Sequence, residues 1–170
     1  MILETKRLLL RPFTADDFEA YYEQIYGDAE VNRFLPTGTA VPRDQAHERF
    51  FTRFLGPIPE PEGLWAVIDR DAQRLIGHAG IKALPESEFI EVFYALGKAW
   101  WGKGLATEAA RACLGYGFNE KELGMIVGIA LPANIGSRRV LEKSGMTYHG
   151  IRKYYNFDVA FYDLKREEFK

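Results

Sequence analysis

The run from Leu96 to Ala110 reads LGKAWWGKGLATEAA after Tyr94-Ala95, and it constrains the fold more than any other stretch of this chain. The alternating segment FIEVFYAL ends at Leu96 and reads as a strand, whereas the Ala-rich segment from Leu105-Ala106 onward reads as a helix. Between them, Gly102-Lys103-Gly104 forms a tight turn. Glycines at such a turn let unpaired backbone N–H groups approach an anion, and the helix dipole sets partial positive charge behind them. A further strand from about Met125 to Leu131 follows the helix, so the turn opens a βαβ unit whose N-terminal junction can cradle a pyrophosphate.

Three pyrophosphate cradles can be set against these residues. Gly97 to Lys103 satisfies the P-loop spacing up to its last position, where Gly104 replaces the hydroxyl that would bind a metal. A dinucleotide fingerprint requires a third glycine where this chain has Thr107, and no acidic residue ends a strand about 20 residues further on. The third pattern is Arg/Gln-x-x-Gly-x-Gly/Ala. Trp101-Gly102-Lys103-Gly104-Leu105-Ala106 resembles it, with Trp101 in place of its usual first polar residue, and this is the signature with which GNAT N-acetyltransferases hold acetyl-CoA. The turn alone is equally compatible with glycines placed only for packing.

A second motif separates these readings. Asn134-Ile135-Gly136-Ser137-Arg138-Arg139-Val140-Leu141-Glu142-Lys143-Ser144-Gly145-Met146 resembles the N-x-x-S-x-R-V-L-E-K-x-G-F/M segment of the RimJ/RimL branch of the GNAT family. Thr5-Lys6-Arg7-Leu8-Leu9-Leu10-Arg11 is similar to that branch's opening, Asp28 to Pro36 to its substrate-side helical segment, and Gly77-His78-Ala79-Gly80-Ile81 to its central hairpin. The resemblance runs in order along almost the whole chain. It implies an α+β GNAT fold: a mixed sheet of about seven strands flanked by about four helices, with two parallel strands splaying apart at the cofactor.

Composition excludes other classes. The 170 residues suit one domain, residues 1–170, with a sizeable core. A hydrophobic content of 47% argues against disorder, and a formal charge of -2 gives no electrostatic basis for binding nucleic acid. No apolar run approaches the roughly 20 residues of a membrane span. One cysteine and three scattered histidines make neither a disulfide framework nor a metal cluster. A cytoplasmic, metal-free protein, monomeric or homodimeric, with neither a nucleic-acid nor a membrane partner, is expected.

The coarse element order begins with a strand over Arg7 to Phe13 and a helix from a Thr14 cap through Ile25. A second helix covers Arg43 to Leu55, stopped by Pro57, Pro59 and Pro61. Strands follow near Trp65–Asp69, Leu75–Ala83 and Phe89–Leu96, then the cradle helix to about Phe118, the Met125 strand, and a helix to Ser144. A final hairpin has expected arms Tyr148–Phe157 and Ala160–Glu168.

Acetyl transfer to an amine requires a held thioester, a neutral amine, a polarised carbonyl and a stabilised thiolate. Backbone groups of Gly102, Lys103, Gly104, Leu105 and Ala106, with the Thr107 hydroxyl, are the candidates for the diphosphate, and the bend at Leu96-Gly97 for the pantetheine arm. Strand alternation puts Glu91 on one face with Phe89, Phe93 and Ala95, where desolvation would raise its pKa toward that of a useful base. The resemblance implies Ser137 beside the leaving thiolate and Asn134 on the pantetheine or acetyl group, although Asn134 also suits a helix N-cap. Two departures stand out. Leu141 occupies the place of the general-acid tyrosine of many GNAT enzymes, and Asn156 that of a late-hairpin carboxylate in part of the branch. Phe34, Trp65, Tyr94, Tyr148, Tyr154, Tyr155 and Phe157 are the aromatics available to an acceptor groove, and most of them are expected in the core. The expected activity is direct acetyl transfer from acetyl-CoA, as co-substrate, to a primary amine such as a protein N-terminus or a small molecule. A non-catalytic acyl-CoA-binding module is the alternative, and a phosphotransferase rests on Gly97 to Lys103 alone.

Overall fold

The computed structural model describes residues 1–170. Eight strands form one sheet: β1 (Leu3–Glu4), β2 (Leu8–Arg11), β3 (Gly63–Asp69), β4 (Arg74–Ala83), β5 (Ile90–Leu96), β6 (Met125–Ala130), β7 (Thr147–Tyr154) and β8 (Phe157–Lys165). Their spatial order is β1-β2-β3-β4-β5-β6-β8-β7. Every neighbouring pair is antiparallel except β5 and β6, which run parallel. A parallel pair needs a crossover, and the cradle helix supplies it. The sheet exceeds the expected seven strands by the two-residue β1, too short to leave a periodic signal.

Five α-helical segments accompany the sheet: α1 (Phe18–Tyr21), α2 (Ala29–Asn32), α3 (Arg43–Phe54), α4 (Leu105–Gly115) and α5 (Ile135–Lys143). The first expected helix is not uniform. It starts as a 3-10 turn at Ala15–Asp17 and ends as a π turn at Tyr22–Tyr26. The wide π turn brings residues five apart toward one face, so Tyr21, Ile25 and Tyr26 are all buried. Such a turn frees carbonyls, and the buried Asn32 amide donates to those of Ile25 and Asp28 at 2.6 and 2.8 Å. The cradle helix likewise stops being α-helical at Gly115 and closes with a π turn over Tyr116–Glu120.

The sheet has a core on each face. Leu105, Ala109, Ala110, Cys113 and Leu114 recur at helical spacing on α4 and pack on Val67, Ile76, Ile81, Val92 and Ile126. On the opposite face, Ala46, Phe50 and Phe54 of α3 join Phe13, Phe18, Tyr21 and Ile25. α3 and α4 therefore lie on opposite faces. Arg11 closes the edge of the second core with a bidentate pair to Asp17, both bonds at 2.7 Å.

The last hairpin turns three residues earlier than expected. Tyr155 and Asn156, with φ of 53° and 62°, form a two-residue turn between the paired Tyr154 and Phe157. Positive φ at both positions is the geometry that matches strand twist. Asparagine tolerates it, but a tyrosine gives no sequence signal for it, and Phe157 consequently opens the second arm.

Candidate active site

The strand-to-helix junction forms the first half of the site. Gly102 and Gly104 have φ of 74° and 76°, values costly to any residue with a Cβ. Gly104 is the N-cap of α4, so the first N–H groups of that helix face outward without a side-chain cap. The junction is braced from 101 residues away. The Arg7 guanidinium donates to Glu108 at 2.7 Å and to the Lys103 carbonyl at 2.9 Å, while Glu108 also accepts from the Arg7 N–H and the Thr5 hydroxyl. The exposed Trp101 ties the loop through its indole N–H to the Leu96 carbonyl at 2.7 Å. Lys103 lies over Trp100, 5.0 Å from the ring centroid. Leu105 is buried, whereas Ala106 and Thr107 are half-buried along the first turn.

The second element is a gap in the sheet. β5 and β6 are joined at one bridge, Glu91 opposite Val127. The bonds Leu84 N–H to Phe89 C=O and Gly97 N–H to Ile76 C=O show that odd-numbered residues of this stretch bond to β4. The backbone groups of Val92, Tyr94 and Leu96 therefore point the other way; the Val92 N–H belongs to the bridge, and those of Tyr94 and Leu96 face the gap beyond it. Of these the Leu96 carbonyl is taken by Trp101, and the Gly97 N–H is spent within the sheet. The backbone groups left unpaired along the gap are thus centred on Tyr94, with the N–H of Leu96 beside them.

On the far side of the gap, Asn134 caps α5 by accepting the Ser137 N–H at 3.1 Å. The Ser137 hydroxyl lies 3.1 Å from the Tyr94 hydroxyl, which donates to the Ser137 carbonyl at 3.0 Å. Burial raises the Tyr94 pKa, offset in part by its bond to Ser137, so the phenol stays protonated. Leu141 is sealed in the core, 1% exposed. The hydroxyl pair therefore comes from β5 and the first turn of α5, a pairing that sequence reading missed. Strand parity, which puts Tyr94 on the face opposite Glu91, is the signal that was available.

Glu91 is 4% exposed, on the α3 face. Its Oε1 receives Lys82 Nζ at 3.2 Å and the Tyr155 hydroxyl at 3.1 Å, while Oε2 has no protein partner yet is not sealed from solvent. Burial raises the Glu91 pKa above the ordinary carboxylate range; Lys82, then Tyr155, pull the other way without cancelling it. Lys82 is directly opposite Glu91 in the β4–β5 register. Tyr155 reaches the carboxylate because the left-handed turn throws its ring inward, which no sequence pattern announces. Glu91 and Ser137 share no hydrogen bond and stand on opposite sides of the gap.

A cleft of about 650 Å³ opens beside Glu91, between α3, the segment after α2 and strands β4 and β5. Tyr21, Tyr26, His78, Phe93 and Tyr94 contribute to its wall. Burial keeps His78 neutral, its pKa lowered further by Arg53 and Lys82, and its Nδ1 meets the Tyr21 hydroxyl at 2.8 Å. Several of the aromatics available to an acceptor groove pack elsewhere. Trp65 is buried edge-on against Tyr116, Tyr154 stacks on Phe161, and Tyr148 packs on Tyr162. Cys113 is fully buried and its thiol pKa is raised by burial, which makes it no nucleophile. No three His, Cys, Asp or Glu residues gather as a metal site, and no helix is long and apolar enough to cross a membrane.

A glycine cradle, a split parallel pair and a mixed sheet in this order define an acetyltransferase architecture. The model of the acetyltransferase (GNAT) domain matches residues 7–147, and the chain belongs to that family. It is 35% identical to the uncharacterized N-acetyltransferase YnaD of Bacillus subtilis over 153 residues, 90% of this chain and 86% of the relative. The structure is similar to that of a GNAT-family acetyltransferase from Bacillus anthracis, with a TM-score of 0.84, 28% identity and coverage of 99% and 100%. The aminoglycoside acetyltransferase AAC(6')-Ib, solved with coenzyme A, shares the fold at a TM-score of 0.78 and 19% identity, covering 95% of this chain and 96% of that one.

Proposed function

We propose that this chain is a RimJ/RimL-type N-acetyltransferase that moves an acetyl group from acetyl-CoA to a primary amine by direct attack in a ternary complex. The observation that carries the reading is the continuity of the gap. It leads from the α4 N-terminus, past the outward backbone groups of Tyr94, to a cleft whose wall includes Tyr94, Phe93 and Lys82, the partner of Glu91. Acetyl-CoA supplies an activated thioester. The N–H groups at the start of α4 hold its diphosphate, with the positive end of the helix behind them. The Tyr94 N–H is the candidate donor to the acetyl carbonyl. The acceptor amine enters from the α3 face and gives its proton to Oε2 of Glu91, the oxygen that Lys82 and Tyr155 leave free. On the other face the Ser137 hydroxyl donates to the departing sulfur, joined by the Tyr94 hydroxyl as its proton turns away from the Ser137 carbonyl; a phenol of raised pKa remains a proton donor throughout the working pH range.

The Lys82–Glu91 ion pair favours one competing reading, a non-catalytic acyl-CoA-binding module, because it already engages the proposed base. Calorimetric titration with acetyl-CoA followed by a thiol-release assay across a panel of primary amines separates the two. Saturable binding with amine-dependent thiol release supports the transferase; binding without release by any amine leaves the module; no binding by the folded protein rejects both.

A further inference from the structure

The cleft beside Glu91 carries a charge pattern that the transfer chemistry does not use. Its wall includes three cations, Arg49, Arg53 and Lys82, and one carboxylate, Glu48. The charge of Lys82 is committed to Glu91. Arg49 and Arg53 take part in none of the protein's ion pairs, which means that neither has a carboxylate, Glu48 included, within bonding distance. They are four residues apart on α3, so both project from one helix face toward the cleft. Arg53 lies over Phe93 at 5.8 Å from the ring centroid, and Lys82 lies over the same ring at 5.2 Å. The uncompensated guanidinium is thus about one aromatic ring from the group that holds the base. His78, in the same wall, is neutral and does not compete for an anion.

We infer that the acceptor is an amino-acid-like molecule, a primary amine with a carboxylate a few bonds from the nitrogen. This rests on the acetyltransferase reading above. Two guanidinium groups on one helix face grip a carboxylate through paired charge-assisted hydrogen bonds, while the amine reaches Oε2 of Glu91 past the edge of Phe93. At about 650 Å³ the cleft has room for such a ligand with its side chain. Leu35, Pro36 and Tyr26 offer an apolar wall to its side chain. A polycationic acceptor would bring further positive charge against Arg49 and Arg53 and would be turned away. The arginines are on the α3 face and the diphosphate cradle on the α4 face, so the two anion sites are distinct.

The test uses matched acceptors at saturating acetyl-CoA: an α-amino acid, its amide and its decarboxylated amine, with thiol release as readout. The expected result is a kcat/KM at least tenfold higher for the acid. The amide has the less basic amine and so the larger free-base fraction at neutral pH, which means a preference for the acid over the amide cannot come from amine ionisation. Arg53→Gln and Arg49→Gln should each raise KM for the acid about tenfold and leave the decarboxylated amine within about twofold. Arg53→Glu should reverse the preference. Both side chains are exposed, and circular dichroism checks that the variants fold. Equal turnover of all three acceptors would overturn the inference and leave the acetyltransferase reading standing. Arginine variants that weaken acetyl-CoA binding instead would also overturn it, by assigning these residues to the cofactor. Acetyl-CoA binding with no turnover of any amine would remove the reading and the inference together.

Discussion

Gly104→Asp separates charge from backbone strain at the cradle. Gly104 sits at φ 76°, ψ 3°, and any L residue there costs about 1–2 kcal/mol, less for Asp and Asn, whose short polar side chains visit this region. Space is not the obstacle. A Cβ at this position meets nothing nearer than Arg7 Nη2 at 3.6 Å, and Arg7 is itself held by Glu108 and the Lys103 carbonyl. The variant should therefore fold. A carboxylate here would lie about 5 Å from a diphosphate on the α4 N–H groups. With an effective dielectric constant of about 40, each charge pair costs about 1.7 kcal/mol, so two phosphate charges cost about 3 kcal/mol. Arg7 offsets part of this, leaving a loss of acetyl-CoA affinity of roughly 100-fold. Gly104→Asn has the same backbone cost without the charge and should bind within about fivefold of the unaltered protein. Calorimetric titration in 0.1 M and then roughly 0.5 M salt is the assay, since a charge penalty must shrink as screening shortens. Equal losses for Asp and Asn would refute the electrostatic reasoning. Undiminished binding by Gly104→Asp would move the diphosphate away from this turn altogether.

Other expectations follow from the same geometry. Ionised Glu91 is the proposed base and its pKa is raised by burial, so kcat/KM should fall as pH drops through an inflection above the usual carboxylate range; Glu91→Gln should lose about 100-fold in kcat and that inflection, with acetyl-CoA affinity retained. An unchanged pH–rate profile in the variant would take Glu91 out of the reaction. Tyr94→Phe removes the hydroxyl facing Ser137 and should cut kcat about tenfold or more with the acetyl-CoA Kd unmoved, read by steady-state kinetics beside titration. Cys113→Ala should keep full turnover, and intact-mass spectrometry during reaction should show no acetyl group on the unaltered protein.

How far the sequence discloses this arrangement depends on the distance over which each interaction acts. Local order was plain: the strand ending at Leu96, the glycine turn and the α4 apolar face come from periodicity and turn chemistry within about 20 residues. Glu91 was legible because alternation alone places a carboxylate among Phe93 and Ala95. Its partners were not. Lys82 requires the β4–β5 register, Tyr155 depends on a left-handed turn that tyrosine disfavours, and the brace of Arg7 on Glu108 spans the chain. Composition alone could say only that most of the aromatics, Trp65 among them, belong to the core; which ones line a cleft depends on the fold. The N-terminal helix followed its capping signals correctly at Thr14, but its π turn answers to burial of Tyr21, Ile25 and Tyr26 together, a tertiary demand with no local signature.

The lone bridge between β5 and β6 divides the sheet into two leaves, β1 to β5 and β6 to β8, with α4 as the spine. An open leaf edge is normally a liability, because unpaired backbone groups invite foreign strands. A pantetheine arm laid along that edge would act as a removable stitch, and its occupancy would also set the resistance of the fold to opening. At a ligand concentration 100 times its Kd, that linkage is worth about 2.7 kcal/mol. The Tyr94 and Leu96 amides, which face the gap, should therefore exchange with solvent faster in the free protein than those of Phe93 and Ala95, which bond to β4, and slow selectively as the stitch is drawn in.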